Sequence, residues 1–271
     1  MTTVAGSRPP TLRTTRPFGS SIRAESIKFW SLRSNRILVA LAIVFVPLNA
    51  VLLSISLGQR AESPDPRMRI SSVDAVAYLD SVLWLQLLIA VIAVLATTSE
   101  GGGRIGASFL AVPTRLPVLG AKVVVVGLVS FGIGVVGATA GQLLPHLLLS
   151  GTGVTYAADQ ADILRGVISS GVYLGLIAVI SLAVAVIAEN LIVALLVPLA
   201  LYTIVPSLIA SFGGEIGSRI SGYFPTIAGR TALSAAENPG GLDGTTGFLV
   251  MVAWAAVAVV GAGLRYRFTD A

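Results

Sequence analysis

The sequence predicts an all-α, polytopic membrane protein with six transmembrane helices, and two observations support this prediction. The chain of 271 residues is 55% hydrophobic but only 11% charged, whereas soluble domains carry about 25% charged residues. Six apolar segments are long enough to cross a hydrocarbon core of roughly 30 Å, at residues 37–57, 76–98, 123–149, 166–188, 191–211 and 246–264. Over most of its length the chain therefore suits lipid better than water.

The region before the first span differs from the rest in composition. Residues 1–21 are rich in Ser, Thr, Arg and Pro without an apolar period, so we expect a disordered basic arm there. Residues 22–271 are expected to form a single transmembrane domain. The first apolar run starts only at Ile37 and is too long for a cleaved signal peptide. The fourth and fifth spans are separated by Glu189-Asn190, which predicts a tight helical hairpin.

The distribution of lysine and arginine predicts the orientation. Twelve of these residues lie in the N-terminal segment, the 99–122 loop and the C-terminal tail, and six lie in the three loops on the other side. Cytoplasmic loops carry the excess of basic residues, so both termini are predicted to be cytoplasmic. We expect a multi-pass protein of the bacterial cytoplasmic membrane. The net charge is +5, and the basic residues cluster beside the spans. This position indicates membrane orientation rather than nucleic-acid binding.

An amphipathic segment, SIRAESIKFWSLRSNR at 21–36, precedes the first span. Its polar positions include Glu25, Lys28 and Arg33, and Glu25 and Lys28 are one turn apart, where opposite charges can pair. Trp30 suits the membrane interface because its ring is apolar and its N–H is polar. The pattern predicts an N-terminal interfacial helix.

A glycine motif follows the second span. Gly101-x-Gly103-x-x-Gly106 matches the dinucleotide-binding fingerprint, but that site needs a preceding strand and an acidic residue about 20 positions later. A membrane span precedes these glycines, and no acidic residue follows Glu100 until Asp159. We therefore reject a dinucleotide site.

Residues 100–113 predict a short cytoplasmic helix instead. Ile105, Phe109 and Val112 repeat at helical spacing, Arg104 lies on another face, and Pro113 ends the pattern. The helix could lie passively on lipid headgroups. It could also dock on a soluble partner.

Two glycine pairs predict close helix packing: Gly137-x-x-x-Gly141 and Gly171-x-x-x-Gly175. Packing within one subunit is favoured over a subunit interface. Pro47, Pro198 and Pro206 lie inside spans, where each removes a backbone hydrogen bond and can kink its helix.

The 212–245 loop has apolar residues at near-helical spacing, at Ile216, Ile220, Phe224 and Ile227. This spacing predicts external helices that dip into the outer leaflet. Backbone at that depth must be buried in protein to satisfy its hydrogen bonds. An outer gate and a plain surface cap are both compatible with the pattern.

Few amide or imidazole side chains lie inside the spans, namely Asn49, Gln86, Gln142 and His146. Interhelical hydrogen bonding is favoured over substrate contact for them. The chain has no cysteine, no G-x-x-x-x-G-K-[ST], no H-E-x-x-H and no G-x-S-x-G. We therefore expect neither an enzyme nor a metal site, and no ATP site in this chain.

The order of the pieces resembles a known family. RAESIKFWSLRSNR stands before the first span, TSE closes the second, AVPTRLPVLGAK leads into the third, YFPTIAGRTAL precedes the sixth, and LRYRFTDA ends the chain. Over residues 21–271 this is similar to the membrane subunit of ATP-binding-cassette (ABC) transporters. The class is the six-span type-2 permeases, particularly their actinobacterial members.

The resemblance implies an exporter half that pairs as a homodimer or with a related permease. Each copy would bind a separate ATPase subunit, two per transporter, and ATP and Mg would bind there and not in this chain. Residues 100–113 match the family's coupling helix, which nominates Glu100, Arg104, Phe109 and Arg115 for ATPase contact. Gly101–Gly103 depart from the family, in which aromatic and basic residues are common at these positions.

Spans one, two and five would line the translocation path by the same resemblance, which nominates Asn49, Gln86 and Tyr202. The low charge of the spans favours an amphipathic, peptide, drug or lipid-like substrate. Two alternatives remain open. One is the substrate-capture subunit of an uptake system, and the other is a non-transport membrane protein of immunity or signalling.

Overall fold

The protein is described by a computed structural model. The described residues are 18–63, 65, 67, 72–74, 76–98, 115–151, 153–157, 160–188, 190–234 and 241–268. Residues 1–17 of the predicted 1–21 arm and the predicted coupling helix at 100–113 lie outside them, as does Glu189.

The fold consists almost entirely of helices, and six of them are long and apolar enough to cross a membrane. The all-α, six-span prediction is therefore confirmed. The elements, in chain order, are α1 (Phe18–Ser31), α2 (Arg33–Ala61), β1 (Ser72–Asp74), α3 (Val76–Thr98), α4 (Arg115–Leu148), β2 (Thr155–Ala157), α5 (Gln160–Ala188), α6 (Leu191–Leu199), the π segment (Ala200–Ile204), α7 (Val205–Phe212), α8 (Gly214–Ser221), α9 (Pro225–Ser234) and α10 (Gly244–Phe268). The first four spans are α2, α3, α4 and α5. The fifth span consists of α6, the π segment and α7, and the sixth is α10.

The bundle has two ends, which we call basal and distal. At the basal end α1 meets the end of α3 and the start of α4, and Val94, Ala185 and Ala194 pack together. At the distal end β1 and β2 pair in parallel, with Ser72 opposite Thr155 and Asp74 opposite Ala157. These strands could not be predicted from the sequence, because three residues are too few to show the alternation of apolar and polar side chains that marks a strand.

The fourth span, α5, is the centre of the bundle. Protein covers 61% of its apolar window, compared with 28% for α2 and 22% for the fifth and sixth spans. Buried apolar side chains from every span form one core, which α5 joins through Leu174, Ile177 and Leu182. The less covered spans leave apolar faces exposed, as expected for a protein surrounded by lipid.

Glycines allow α4 and α5 to approach closely. A Cβ atom at Gly134 would lie 2.7 Å from the Ser170 carbonyl oxygen and 2.8 Å from Gly171 Cα. Gly137 and Gly141 pack against Val46 of α2, and Gly171 packs against Phe131 of α4. These contacts confirm that the two glycine pairs serve packing within the subunit.

Three predicted boundaries differ from the structure. Helix α1 begins at Phe18, inside the predicted arm, and the Phe18 ring packs over Gly120. It ends at Ser31, because Leu32 is extended and α2 starts at Arg33. Helix α4 begins at Arg115 rather than near residue 123. Pro117 lies in its first turn, where no N–H is needed.

The hairpin between the fourth and fifth spans agrees with the prediction. Helix α5 ends at Ala188 and α6 begins at Leu191. Asn190 caps α6, because its Oδ1 accepts hydrogen bonds from the Ile192 N–H (2.9 Å) and the Val193 N–H (3.3 Å). A hydroxyl contact of 2.8 Å between Ser181 and Tyr202, which lie on opposite sides of this short turn, shows that the two spans run antiparallel.

Helices α8 and α9 form a re-entrant hairpin within the 212–245 segment, where the spacing predicted helices; their placement at the outer leaflet stays a prediction. Gly214, at φ 56°, reverses the chain after α7, and α8 then runs back toward the middle of the bundle. The turn after α8 reaches three mid-span residues: the Trp254 indole N–H donates to the Tyr223 carbonyl (2.9 Å), and Thr226 contacts Gln86 and Tyr202. Pro225, Ala228, Thr231 and Leu233 of α9 are buried, whereas Ile216 and Ile220 of α8 are exposed.

Asp243 starts the sixth span. Its Oδ1 accepts a hydrogen bond from the Thr246 N–H (2.8 Å), which caps α10. Hydrogen bonds from the side chain and backbone of Thr246 hold the pKa of the Asp243 carboxyl below its ordinary value. The carboxylate is therefore ionised at neutral pH, the form that the positive end of a helix favours.

We predict that Gly134→Ala destabilises the bundle, whereas Gly132→Ala does not. The new methyl group at Gly134 would meet α5 backbone, which cannot move aside without shifting a helix, whereas nothing lies within 4 Å of a methyl group at Gly132. Overpacking of this kind costs about 1–3 kcal/mol. Thermal unfolding of the two variants in detergent micelles tests this, and equal melting temperatures would contradict the proposed packing.

Candidate functional site

A charged cluster fixes the basal end of the bundle. Lys122, in the second turn of α4, is buried. Its Nζ lies 3.6 Å from Glu25 Oε2 of α1 and donates to the Ala96 carbonyl oxygen of α3 at 3.2 Å. One ammonium group therefore joins the interfacial helix to the second and third spans. We call Glu25, Lys122 and the Ala96 carbonyl the basal cluster.

The end of α1 is held beside this cluster. Phe29 is buried, and its carbonyl oxygen accepts a hydrogen bond from Asn35 Nδ2 (3.1 Å). Because the last carbonyls of a helix lack partners within it, this bond satisfies one of them. Asn35 is itself fully buried. Within the described part of the chain its Oδ1 has no hydrogen-bond partner. Asn35 and Lys122 both line the small cleft between α1 and the spans.

The interfacial residues lie largely as the sequence predicted. Glu25 and Lys28 form an ion pair of 3.7 Å, as expected from their spacing. Trp30 is 43% exposed and contacts the Phe29 ring edge-on. Arg33 is the exposed first residue of α2 rather than part of α1. The sequence analysis missed Lys122, which it assigned to a loop.

The nominated coupling residues remain predictions. Glu100, Arg104 and Phe109 lie outside the described residues, and of Arg115 the structure describes only the backbone, as the first residue of α4. The 99–114 segment joins Thr98, two residues after Ala96, to Arg115, two turns before Lys122. The basal cluster therefore lies close to both attachment points of this segment.

A buried polar network lies in the middle of the bundle. The Tyr173 hydroxyl of α5 donates to Gln86 Oε1 of α3 (2.5 Å). The Thr226 hydroxyl of α9 lies 3.0 Å from the same oxygen and 2.6 Å from the Tyr202 carbonyl oxygen of the π segment. On the other side, the Tyr202 hydroxyl lies 2.8 Å from the Ser181 hydroxyl. The network thus connects the second, fourth and fifth spans to the re-entrant hairpin.

The position of Pro206 explains the contact between α9 and the fifth span. In an α-helix residue 206 would donate its N–H to the carbonyl of residue 202, but proline has no N–H. The π segment lies directly before this proline. The Thr226 hydroxyl donates to the Tyr202 carbonyl, which the nitrogen of Pro206 cannot serve. Hydrogen bonding to a freed carbonyl is how membrane helices accommodate proline.

The three nominated path residues do not come together. Gln86 and Tyr202 are 3% and 1% exposed and belong to the buried network. Asn49 is half-buried, and its Nδ2 donates to the Phe45 carbonyl of its own helix (3.1 Å). For Gln86 the structure agrees with the favoured alternative, interhelical hydrogen bonding. Tyr173, Ser181 and Thr226 were not predicted. The four-residue spacing from Tyr202 to Pro206 was a usable signal, because it shows that the Tyr202 carbonyl cannot bond to the nitrogen of residue 206.

Comparisons with known proteins add no family assignment: no protein family and no curated protein matches this chain. Among the described residues no three His, Asp or Glu side chains lie close enough together to hold a metal ion. The interpretation of function therefore depends on the fold, the basal cluster and the buried network.

We predict that Thr226→Val destabilises the protein by about 1–3 kcal/mol, because it keeps the side-chain shape but removes the hydroxyl that donates to the buried Tyr202 carbonyl. Thr231→Val is the matched control on α9. Its hydroxyl donates to the Ile227 carbonyl within the helix (3.0 Å), and the loss should stay within about 0.5 kcal/mol. Thermal unfolding in micelles measures both.

A double variant tests the cause. Pro206→Ala returns a backbone N–H near the open carbonyl, so Thr226→Val should cost less in the Pro206→Ala protein than in the natural one. Strict additivity of the two changes, together with equal losses for Thr226→Val and Thr231→Val, would show that the freed carbonyl is unimportant.

We predict that Lys122→Met destabilises the protein by about 1–3 kcal/mol, because Glu25 and the Ala96 carbonyl both lose a charged donor in a buried place. Lys28→Met also removes a charge next to Glu25, but the Lys28 side chain is 39% exposed, so its loss should stay within about 0.5 kcal/mol. Adding Glu25→Leu to Lys122→Met should restore part of the stability. Equal losses of melting temperature in the Lys122→Met and Lys28→Met variants would show that the buried contacts of Lys122 do not stabilise the basal end.

Proposed function

We propose that this chain is the membrane permease subunit of an ABC transporter of the six-span type-2 class. It would be an exporter powered by a separate ATPase subunit that docks on residues 100–113. One observation supports this proposal most. The two spans that flank the 99–114 segment are tied at their basal ends to an amphipathic helix by the buried Lys122. A force on that segment would act on three helices together.

The re-entrant hairpin gives a second support. Lipid-exposed irregular backbone is not tolerated inside hydrocarbon. In the turn after α8, the N–H groups of Gly222, Tyr223 and Phe224 donate to carbonyls of α8 at 3.1–3.2 Å. The turn of the hairpin therefore satisfies its own N–H groups, at the level of Gln86 and Tyr202 in the spans that a transport path would use.

The contacts provide a physical route for coupling. Closure of an ATPase dimer would displace the 99–114 segment and with it the basal end of α3. Gln86, on α3, contacts Tyr173 of α5 and Thr226 of α9. A tilt or axial shift of α3 must therefore break the Tyr173–Gln86 hydrogen bond and the Gln86–Thr226 contact, or carry α5 and α9 with it. Bistable contacts of this kind convert small displacements into opening or closing.

The assembly we propose contains two copies of this chain, or this chain and a related permease, with two ATPase subunits that bind ATP and Mg. The first span supports a paired state. It buries Val39, Ala42 and Val46 inside the subunit and leaves Leu41, Val44 and Leu48 exposed on another face. That exposed face and Trp84 of α3 border an apolar groove that a second permease would cover.

The location we propose is the cytoplasmic membrane of a bacterium, with both termini and the basal end inside the cell. The excess of basic residues at this end supports the orientation. The substrate class we propose is amphipathic, as a peptide, drug or lipid-like molecule would be, because the exposed faces of the spans are apolar and the buried polar groups in the middle of the bundle are uncharged.

We predict that an ATP-hydrolysing protein encoded beside this chain co-purifies with it, and that Arg104→Ala with Phe109→Ala releases that protein. Binding at the coupling helix requires these two residues, whereas Phe212→Ala, a change to an aromatic side chain that is 84% exposed at the distal end, should leave the complex intact. The amount of ATPase bound per membrane subunit is the measurement.

The alternatives predict different outcomes. A substrate-capture subunit of an uptake system would bind its ligand tightly without nucleotide, and a protein of immunity or signalling would act without any ATPase. Retention of the ATPase by the double variant would refute docking at 100–113. Failure to recover an ATPase under any condition would refute the permease proposal.

A further inference from the structure

A second groove lies at the distal half of the bundle, between α5, α9 and α10. Its volume is about 510 Å³, which lies within the range of small-molecule sites. Ile168 and Phe248 line it and are 49% and 41% exposed. Because these apolar side chains form the two rims, the groove opens sideways toward the hydrocarbon.

Arg165 lies at the mouth of this groove, in the second turn of α5. Its side chain is exposed and forms no ion pair with any of the described residues. Asp162, one turn earlier, is exposed as well and does not pair with it. Asp243, beside the groove residue Gly244, uses its carboxylate to cap α10. Among the described residues, no carboxylate therefore occupies the guanidinium, which can bind an anion from outside the chain.

The wall of the groove is apolar below the arginine. Val172 and Met251 lie further from the distal end than Arg165, and Tyr173 forms part of the inner wall. Gly229 of α9 packs directly against the Tyr173 ring, and any Cβ atom there would overlap it. A cation at the mouth above an apolar wall matches a molecule with an anionic head and a hydrocarbon tail.

From this arrangement we infer that the groove binds a phospholipid with an anionic headgroup, with the phosphate at Arg165 and an acyl chain against Val172 and Phe248. Arginine suits a phosphate because its planar fork donates two parallel hydrogen bonds. The site is independent of ATPase docking, since none of its residues lies in the 99–122 region.

Occupancy of the groove would act on the buried network. Tyr173 forms part of the groove wall and donates its hydroxyl to Gln86, which also contacts Thr226. A lipid chain against the Tyr173 ring would hold this side chain in place and strengthen the attachment of α9 to α3. An anionic lipid therefore stabilises the re-entrant hairpin in its docked position.

The test is titration of the full-length chain in nonionic micelles with phosphatidylglycerol or phosphatidylcholine, followed by native mass spectrometry. The natural protein should prefer phosphatidylglycerol by about five-fold, the effect of one basic residue at a membrane surface. Arg165→Gln should abolish the preference, and Arg165→Lys should keep part of it. Arg60→Gln is the control, since Arg60 is exposed at the same end but lies away from the groove.

A groove-filling variant locates the tail. Val172→Phe should weaken the binding of both lipids, because it occupies the space of the acyl chain. A melting curve for each variant verifies folding. The proposal is overturned if the natural protein has no preference, if Arg165→Gln keeps it, if Arg60→Gln loses it equally, or if Val172→Phe leaves phosphatidylglycerol binding unchanged.

Discussion

The structure depends on one constraint: inside hydrocarbon, every backbone N–H and C=O must find its partner within the protein. The fifth span carries two prolines, and Pro206 cannot serve the carbonyl of Tyr202. The Thr226 hydroxyl of α9 donates a hydrogen bond to that carbonyl. The Trp254 indole N–H donates to the Tyr223 carbonyl, in the turn before α9. Because Pro206 has no N–H to offer the Tyr202 carbonyl, the re-entrant helix α9 can dock beside the middle of the fifth span and supply that hydrogen bond.

A related constraint acts at the basal end, where the buried groups carry charge. An ammonium group removed from water must keep a compensating partner. Lys122 keeps two, one on α1 and one on α3. Because both partners come from other helices, the positions of three helices are specified together. Charge serves here to fix geometry, as uncharged hydrogen bonds do in the centre of the bundle.

The six spans could be predicted from the sequence because length and hydropathy are local properties. The glycine pairs also behaved as predicted, since a small residue at helical spacing has few other uses within lipid. Helix α4 was predicted to start too late because Pro117 was taken as part of a loop, although the first turn of a helix accepts proline. The strands β1 and β2 could not be predicted, because each forms only by pairing with the other, which is distant in the sequence.

The site was less predictable for a physical reason. Gln86 and Tyr202 attract attention as polar groups within spans, but their partners Tyr173 and Thr226 come from other helices and look ordinary in sequence. Lys122 looked like one more basic loop residue until its burial was known. A contact that depends on how whole helices pack cannot be read from spacing along one of them.

The parallel pairing of β1 with β2 restricts how the molecule can change shape. It joins the connection between the first two spans to the connection between the third and fourth. These four helices are thereby clasped at the distal end, and the tight packing of α4 on α5 locks them along their length. If the helices separate at the distal end, these four helices must therefore move together. The separation must occur along the boundary between them and the other two spans with the re-entrant hairpin.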